Sequence, residues 1–211
     1  MTIQSTEEPF SPCILQIVTP NFKPLADLTF PTVDTYCLEN NIPVKRIEVA
    51  DPKLVPRAKI NALIQVLSMG FSHCLWIDTD AYIQNPVPID TFLDFDHDLF
   101  ISKDINGINA GVMAVSQSAI PFLKEVIKDP FNHIWVEQMA MMKLIDNGYP
   151  VSVRYLNQSS FQAYFYDLYG LTFPEGEATK DSFIIHLPGL SMEKRLELCN
   201  AKRSLYLGDG L

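Results

Sequence analysis

Short apolar runs broken by polar turn residues, with one clear stripe at helical spacing, divide this chain into alternating elements. Residues 14–18, Ile14-Leu15-Gln16-Ile17-Val18, form a β-branched apolar run broken by Thr19-Pro20-Asn21, which predicts a buried strand emptying into a loop where phosphate or base contacts would sit. A helix is expected over 31–41 with Val33, Cys37 and Leu38 on one side, followed by an alternating strand over 44–49. Ile60, Leu63, Ile64 and Leu67 fall at i, i+3, i+4 and i+7, the spacing of one helix face, and Gly70 is the natural stop of a helix over 57–70. The apolar run Cys74-Leu75-Trp76-Ile77 then ends in Asp78-Thr79-Asp80. Further strands are predicted at 98–101, 110–115, 151–155 and 183–186, a helix from a Ser118 cap to about 129, and another over 136–147 stopped by Gly148.

Strand, helix, strand, helix, strand within eighty residues argues for an α/β protein: a Rossmann-type mixed, mostly parallel sheet with helices on both faces. No Gly-x-Gly-x-x-Gly or Walker pattern accompanies it, which argues against a dinucleotide dehydrogenase or a P-loop enzyme. No repeat, low-complexity stretch or linker divides the chain, which leaves a leader over 1–12, one domain over 13–190, and a helix or tail over 191–211 packed on that domain.

Composition narrows the picture. A chain of 211 residues can bury roughly 70% of its extended surface. With 47% apolar and 19% charged residues, and no uncharged apolar run of membrane-spanning length, it reads as a globular protein with the cytoplasm as default location. Four cysteines without a Cys-x-x-Cys pair suggest neither a disulfide framework nor a zinc site. A formal charge of −9 repels nucleic acid and anionic lipid, so an anionic substrate would need a local cation. Asp78 and Asp80, at the carboxyl end of a buried strand, are placed to hold one. A hard divalent ion with few protein oxygens keeps open positions for phosphate oxygens, the chemistry of diphosphate binding and leaving-group stabilisation. Asp-x-Asp also closes solvated turns, and it opens the haloacid-dehalogenase-like phosphatase motif, which wants Thr where this chain has Tyr82.

Four further signals fall in a fixed order: Arg57-Ala58-Lys59 before a helix, Asn109-Ala110-Gly111 in a strand, Glu137-Gln138 on a helix, and His186-Leu187-Pro188-Gly189 late in the chain. With Asp78-Thr79-Asp80 they resemble GT-A-type glycosyltransferases, and most closely the family of yeast α-galactosyl- and mannosyltransferases and plant xyloglucan xylosyltransferases. The resemblance spans about 13–190 and rests on ordered co-occurrence, since no single motif is specific. It implies a metal-dependent transfer of sugar from a nucleotide-diphosphate sugar, a UDP-sugar by preference, to a hydroxyl acceptor, with retention of anomeric configuration. Asp80, Asp78 and His186 would ligate Mn²⁺ or Mg²⁺, with Asp78 also reaching the donor ribose. Asp104, Asn109, Glu137 and Gln138 would meet the sugar. Thr19, Pro20, Lys59, Gly189 and Lys194 would contact the nucleotide or its phosphates. The residues themselves admit plainer roles: a solvated helix face for Lys59, a turn for Asp104 and Asn109, a dipole partner for Glu137, a backbone-bonded strand end for His186, and a charged helix for Lys194. A non-catalytic sugar-nucleotide-binding protein of the same fold remains the alternative. Removing Asp80, read as an exposed carboxylate, is expected to leave the fold intact.

Overall fold

The structure is a computed structural model that describes residues 10–132 and 136–207, with side chains as far as residue 201. Most of the leader expected over 1–12, and the last four residues of the expected tail, lie outside the described residues. The chain runs β1 (Pro12–Val18), α1 (Lys23–Asn40), β2 (Val44–Glu48), α2 (Val55–Ser68), β3 (His73–Ile77), β4 (Ala81–Ile83), β5 (Leu99–Asp104), β6 (Gly107–Ser116), α3 (Ile120–Val126), α4 (Val136–Asp146), β7 (Val153–Leu156), α5 (Gln158–Phe161), β8 (Gln162–Ala163), β9 (Ile184–His186) and α6 (Met192–Leu207).

Six strands form a mixed sheet in the order β2-β1-β3-β6-β5-β7. Three of its five pairings are parallel, and the antiparallel ones are those that insert the β5–β6 hairpin beside β3. The central strands are mostly apolar because helices cover both faces, with Gln16 and His73 as buried polar exceptions. Ile60, Leu63 and Leu67 of α2 pack with Phe122 and Leu123 of α3 and Met141 of α4 on one side. Val33, Tyr36 and Cys37 of α1 pack with Phe161 and Phe183 on the other. A second, three-stranded sheet, β4-β9-β8, sits beside the first and shares a small core with Leu25 of α1 and Cys199 of α6. No helix among the described residues is long and apolar enough to cross a membrane.

Two local expectations change. The first helix begins eight residues before Pro31 and carries that proline inside it, and Leu38, expected on the buried side with Val33 and Cys37, is 85% exposed. The helix is buried by tertiary packing against β4 and α6, which overrides the proline's cost. Ser118 does not cap the third helix. It lies in the 3₁₀ turn Gln117–Ala119 that precedes it and hydrogen-bonds the Asp98 carboxylate.

At the opposite end of β3 from the aspartates, His73 is fully buried among Phe10, Phe95 and Phe100, with Nε2 2.8 Å from the Asp94 carbonyl oxygen. Burial lowers its pKa from the ordinary 6.5. The unfolded chain therefore binds a proton that the folded chain resists, and the stability His73 permits at neutral pH is lost as pH falls through about 6.5. Urea unfolding on either side of that pH is expected to show the loss, and a His73→Leu variant a flatter dependence. An equal slope in the variant would assign the dependence to other groups.

Candidate active site

The site grows from the strand–turn–strand that carries the two aspartates. β1 and β3 run parallel, so the loop after β1 and the Asp78–Asp80 turn leave the same edge of the sheet. The turn is pinned on every side: Asp78 N–H donates to the Gly111 carbonyl (2.8 Å), Thr79 Oγ1 to that of Ile17 (2.6 Å), and Leu187 N–H to that of Asp80 (2.9 Å). Such bonds hold the carboxylates on a rigid backbone. Trp76, two residues before Asp78 and on the same face of the strand, donates its indole N–H to Asp78 Oδ1 at 2.7 Å.

His186 arrives from far along the chain because β9 pairs antiparallel with β4, with His186 opposite Ala81. Its Nε2 lies 3.2 Å from Asp80 Oδ1 and 3.9 Å from Asp78 Oδ2. Asp78, Asp80 and His186 present ligand atoms that all fall within 4.8 Å of one another. Two carboxylates and an imidazole suit Mn²⁺, and the carboxylates alone suit Mg²⁺, so the donor set fits the ion that the resemblance implies. Gly111 makes room for this ring. A Cβ there would overlap His186 Cε1 and stand 2.8 Å from each ring nitrogen.

Arg195 of α6 completes the cluster, with Nη2 3.0 Å from Asp80 Oδ2 and Nε donating to the Leu187 carbonyl. Asp80 is only 8% exposed. Burial, which would raise its pKa, is outweighed by His186 and Arg195, and the carboxyl sits below its ordinary value. Burial prevails at Asp78, whose carboxyl is raised despite the opposing charge of Lys59.

The cluster forms one wall of a cavity of about 480 Å³. Asp104, Asn109, Glu137, Gln138 and Gly189 also line it, so most of the expected site residues meet in one place. Asp104 Oδ2 accepts from Asn109 Nδ2 (2.9 Å) and Tyr164 Oη (3.2 Å), and Gln138 Oε1 accepts from the Ala110 N–H (3.0 Å). Thr19, Pro20, Lys59 and Lys194 do not line the cavity. Thr19 bonds Asn21 in the loop after β1, and half-buried Lys194 pairs with Glu197 on its own helix.

Lys59 is 1% exposed. Its ammonium donates to the Ala110 carbonyl (2.5 Å) and to Glu137 (2.9 Å), and lies 4.6 Å from the centre of the Trp76 ring. A basic residue at the start of a helix looks like a surface group in sequence. Here the insertion of β6 beside β3 closes over it, and it holds Glu137 in place. Lys59→Ala is expected to destabilise the fold by about 3–5 kcal/mol in urea unfolding, the cost of stranding one member of a buried ion pair. Unchanged stability with weaker nucleotide binding would return it to the phosphate role.

Some cavity residues carried no sequence signal: Tyr164, Tyr166 and Tyr169 lie in the irregular stretch after β8. Ile105 and Asn106, legible in sequence only as part of a turn, form the tip of the β5–β6 hairpin. The alternation of Trp76 and Asp78 was the one available clue to the indole contact.

No protein-family model matches this sequence, and no curated protein is detectably similar to it in sequence. Solved structures are similar in fold. A glycosyltransferase involved in the glycosylation of the major capsid of PBCV-1 superposes with a TM-score of 0.75 over 90% of this chain and 99% of that one, at 19% identity. This chain has the GT-A glycosyltransferase fold. The galactosyltransferase LgtC, solved with donor and acceptor sugar analogs, superposes with a TM-score of 0.53 at 14% identity, over 89% of this chain and 95% of that one. In the GT-A fold seen here, the paired aspartates leave the carboxyl end of a central strand, the edge at which open α/β sheets take ligands.

Proposed function

We propose that the protein is a metal-dependent glycosyltransferase that moves a sugar from a nucleotide-diphosphate sugar to a hydroxyl acceptor, with a UDP-sugar as the preferred donor. The observation that carries this reading is the convergence of Asp78, Asp80 and His186 on the wall of the same cavity that Asp104, Asn109, Glu137 and Gln138 line. Bound there, Mn²⁺ or Mg²⁺ would offset charge on the donor's diphosphate and make it a better leaving group. Asp78, Asp80 and His186 would hold the ion. Asp104 and Asn109, already joined by a hydrogen bond, would orient sugar hydroxyls.

Retention is what the resemblance implies. Glu137 Oε1 is held by Lys59, and Gln138 Oε1 accepts from the Ala110 N–H, so both side chains already have structural partners. Front-side attack by the acceptor, with a donor phosphate oxygen taking the proton, needs no protein nucleophile. The haloacid-dehalogenase-like alternative is not favoured, because the similar solved structures are glycosyltransferases.

The test is a panel of UDP- and GDP-sugars followed by proton NMR with and without Mn²⁺. Manganese-dependent release of nucleoside diphosphate with an unchanged anomeric configuration is expected. An inverted product would overturn retention. Binding without turnover across donors and acceptors would favour the non-catalytic reading.

A further inference from the structure

Gln162 stands on β8 beside His186, fully buried, and its hydrogen bonds decide which ring nitrogen of that histidine is free. Two neighbouring groups have no choice of role. The Gly111 N–H can only donate, and it meets Asn109 Oδ1 at 2.9 Å. The Asp104 carboxylate accepts from Asn109 Nδ2 at 2.9 Å. Turning the Asn109 amide over would set N–H against N–H at one end and oxygen against oxygen at the other, so its orientation is fixed. Gln162 approaches Asn109 Oδ1 at 2.5 Å, and the approaching atom must therefore be the amide nitrogen. That nitrogen has a second hydrogen, and His186 Nδ1 lies 2.8 Å away to receive it. Nδ1 thus supplies a lone pair, and in the neutral ring the proton sits on Nε2, 3.2 Å from Asp80 Oδ1. Gln162 Oε1 is left buried with no partner among the described residues.

A cation bound at Nε2 needs the lone pair there, which moves the ring proton to Nδ1, opposite the Gln162 N–H. Gln162 could meet that proton only by turning its orphan oxygen inward, which would set two oxygens together at Asn109. We propose that Gln162 is a positioning residue which, locked by Asn109, holds His186 in its Nε2–H tautomer, so that His186 joins a cation only when the Asn109–Gln162 hydrogen bond opens. This rests on the cation reading of Asp78, Asp80 and His186 given above. Asn109 also lines the donor cavity, so a sugar hydroxyl that engages its oxygen releases Gln162, and cation and donor binding favour each other.

The tautomer is read directly by long-range ¹H–¹⁵N correlation on metal-free protein labelled at histidine, at mildly alkaline pH. The Nε2–H pattern is expected for His186, and its preference should weaken in Gln162→Leu; the Nδ1–H pattern in the unmutated protein would overturn the proposal. The lock is read by calorimetric titration with Mn²⁺ alone. Asn109→Ala frees Gln162 to turn and should tighten Mn²⁺ binding by about tenfold, the low end of effects from partners of metal ligands. Unchanged or weaker binding in that variant would overturn the lock. If neither protein takes up Mn²⁺ while the Nε2–H tautomer is observed, the cation reading falls together with the lock, and the role of Gln162 in setting the tautomer stands.

Discussion

Replacing Asp80 by Asn is expected to abolish Mn²⁺-dependent binding of UDP, with a loss of at least about a hundredfold, since removal of a mere partner of a metal ligand already costs up to that much. The comparison with Asp80→Ala separates chemistry from folding. Asp80 is nearly buried and accepts from Arg195, itself 9% exposed, so truncation to Ala strands a guanidinium without its counter-ion. That loss is expected to lower stability by about 3–5 kcal/mol; Asn also removes the counter-charge but keeps the side chain's volume and an oxygen for Arg195 to donate to, so its loss should be smaller. Sequence alone took Asp80 for an exposed carboxylate whose removal leaves the fold intact; the structure buries it to 8% exposure, and the expected cost of truncation follows from that burial. Calorimetry with UDP and Mn²⁺ measures the first effect and urea unfolding the second. Asp80→Asn protein that binds UDP as before, and with the same dependence on Mn²⁺, would remove the metal reading of the site.

Gly111→Ala should be nearly as damaging for a steric reason. The added methyl would overlap the His186 ring, and the obstacle on each side is hard to move. Gly111 lies within β6, its carbonyl bonded to Asp78 and its N–H to Asn109, while His186 is fixed by β9 and Gln162. Relief requires either the strand or the ring to shift. Overpacking of this kind costs roughly 1–3 kcal/mol in a dense interior. Displacement of the ring should also cost the protein its Mn²⁺ affinity. Thermal unfolding and Mn²⁺ titration read the two effects, and a variant of unchanged stability that binds Mn²⁺ normally would show that the histidine has slack or does not ligate the ion.

Much of the frame is legible from residue order. The stripe of Ile60, Leu63 and Leu67 predicts the face of α2 that is buried, and the apolar run ending in Asp78 predicts a buried central strand. These features are local, because helix and strand periodicities write burial into neighbouring positions. The stretch 158–176 yielded little, since its short helical turns and the two-residue β8 have no period to reveal them. Proximity was the other missing ingredient. His186 stands 106 positions beyond Asp80, and no local spacing joins them.

Sequence by itself determined that a buried strand would deliver two aspartates to the rim of an α/β sheet, since the apolar run, the polar turn and the acids are contiguous. Tertiary structure decided what surrounds them. Antiparallel pairing of β4 with β9 brought His186 within 3.2 Å of Asp80, and the packing of α6 brought Arg195. The hairpin that places β6 next to β3 buried Lys59 against Trp76 and Glu137, turning an expected phosphate contact into an interior ion pair. Charge, metal affinity and proton position depend on distances of a few ångströms between residues far apart in the chain, and those distances exist only once the strands have chosen their neighbours.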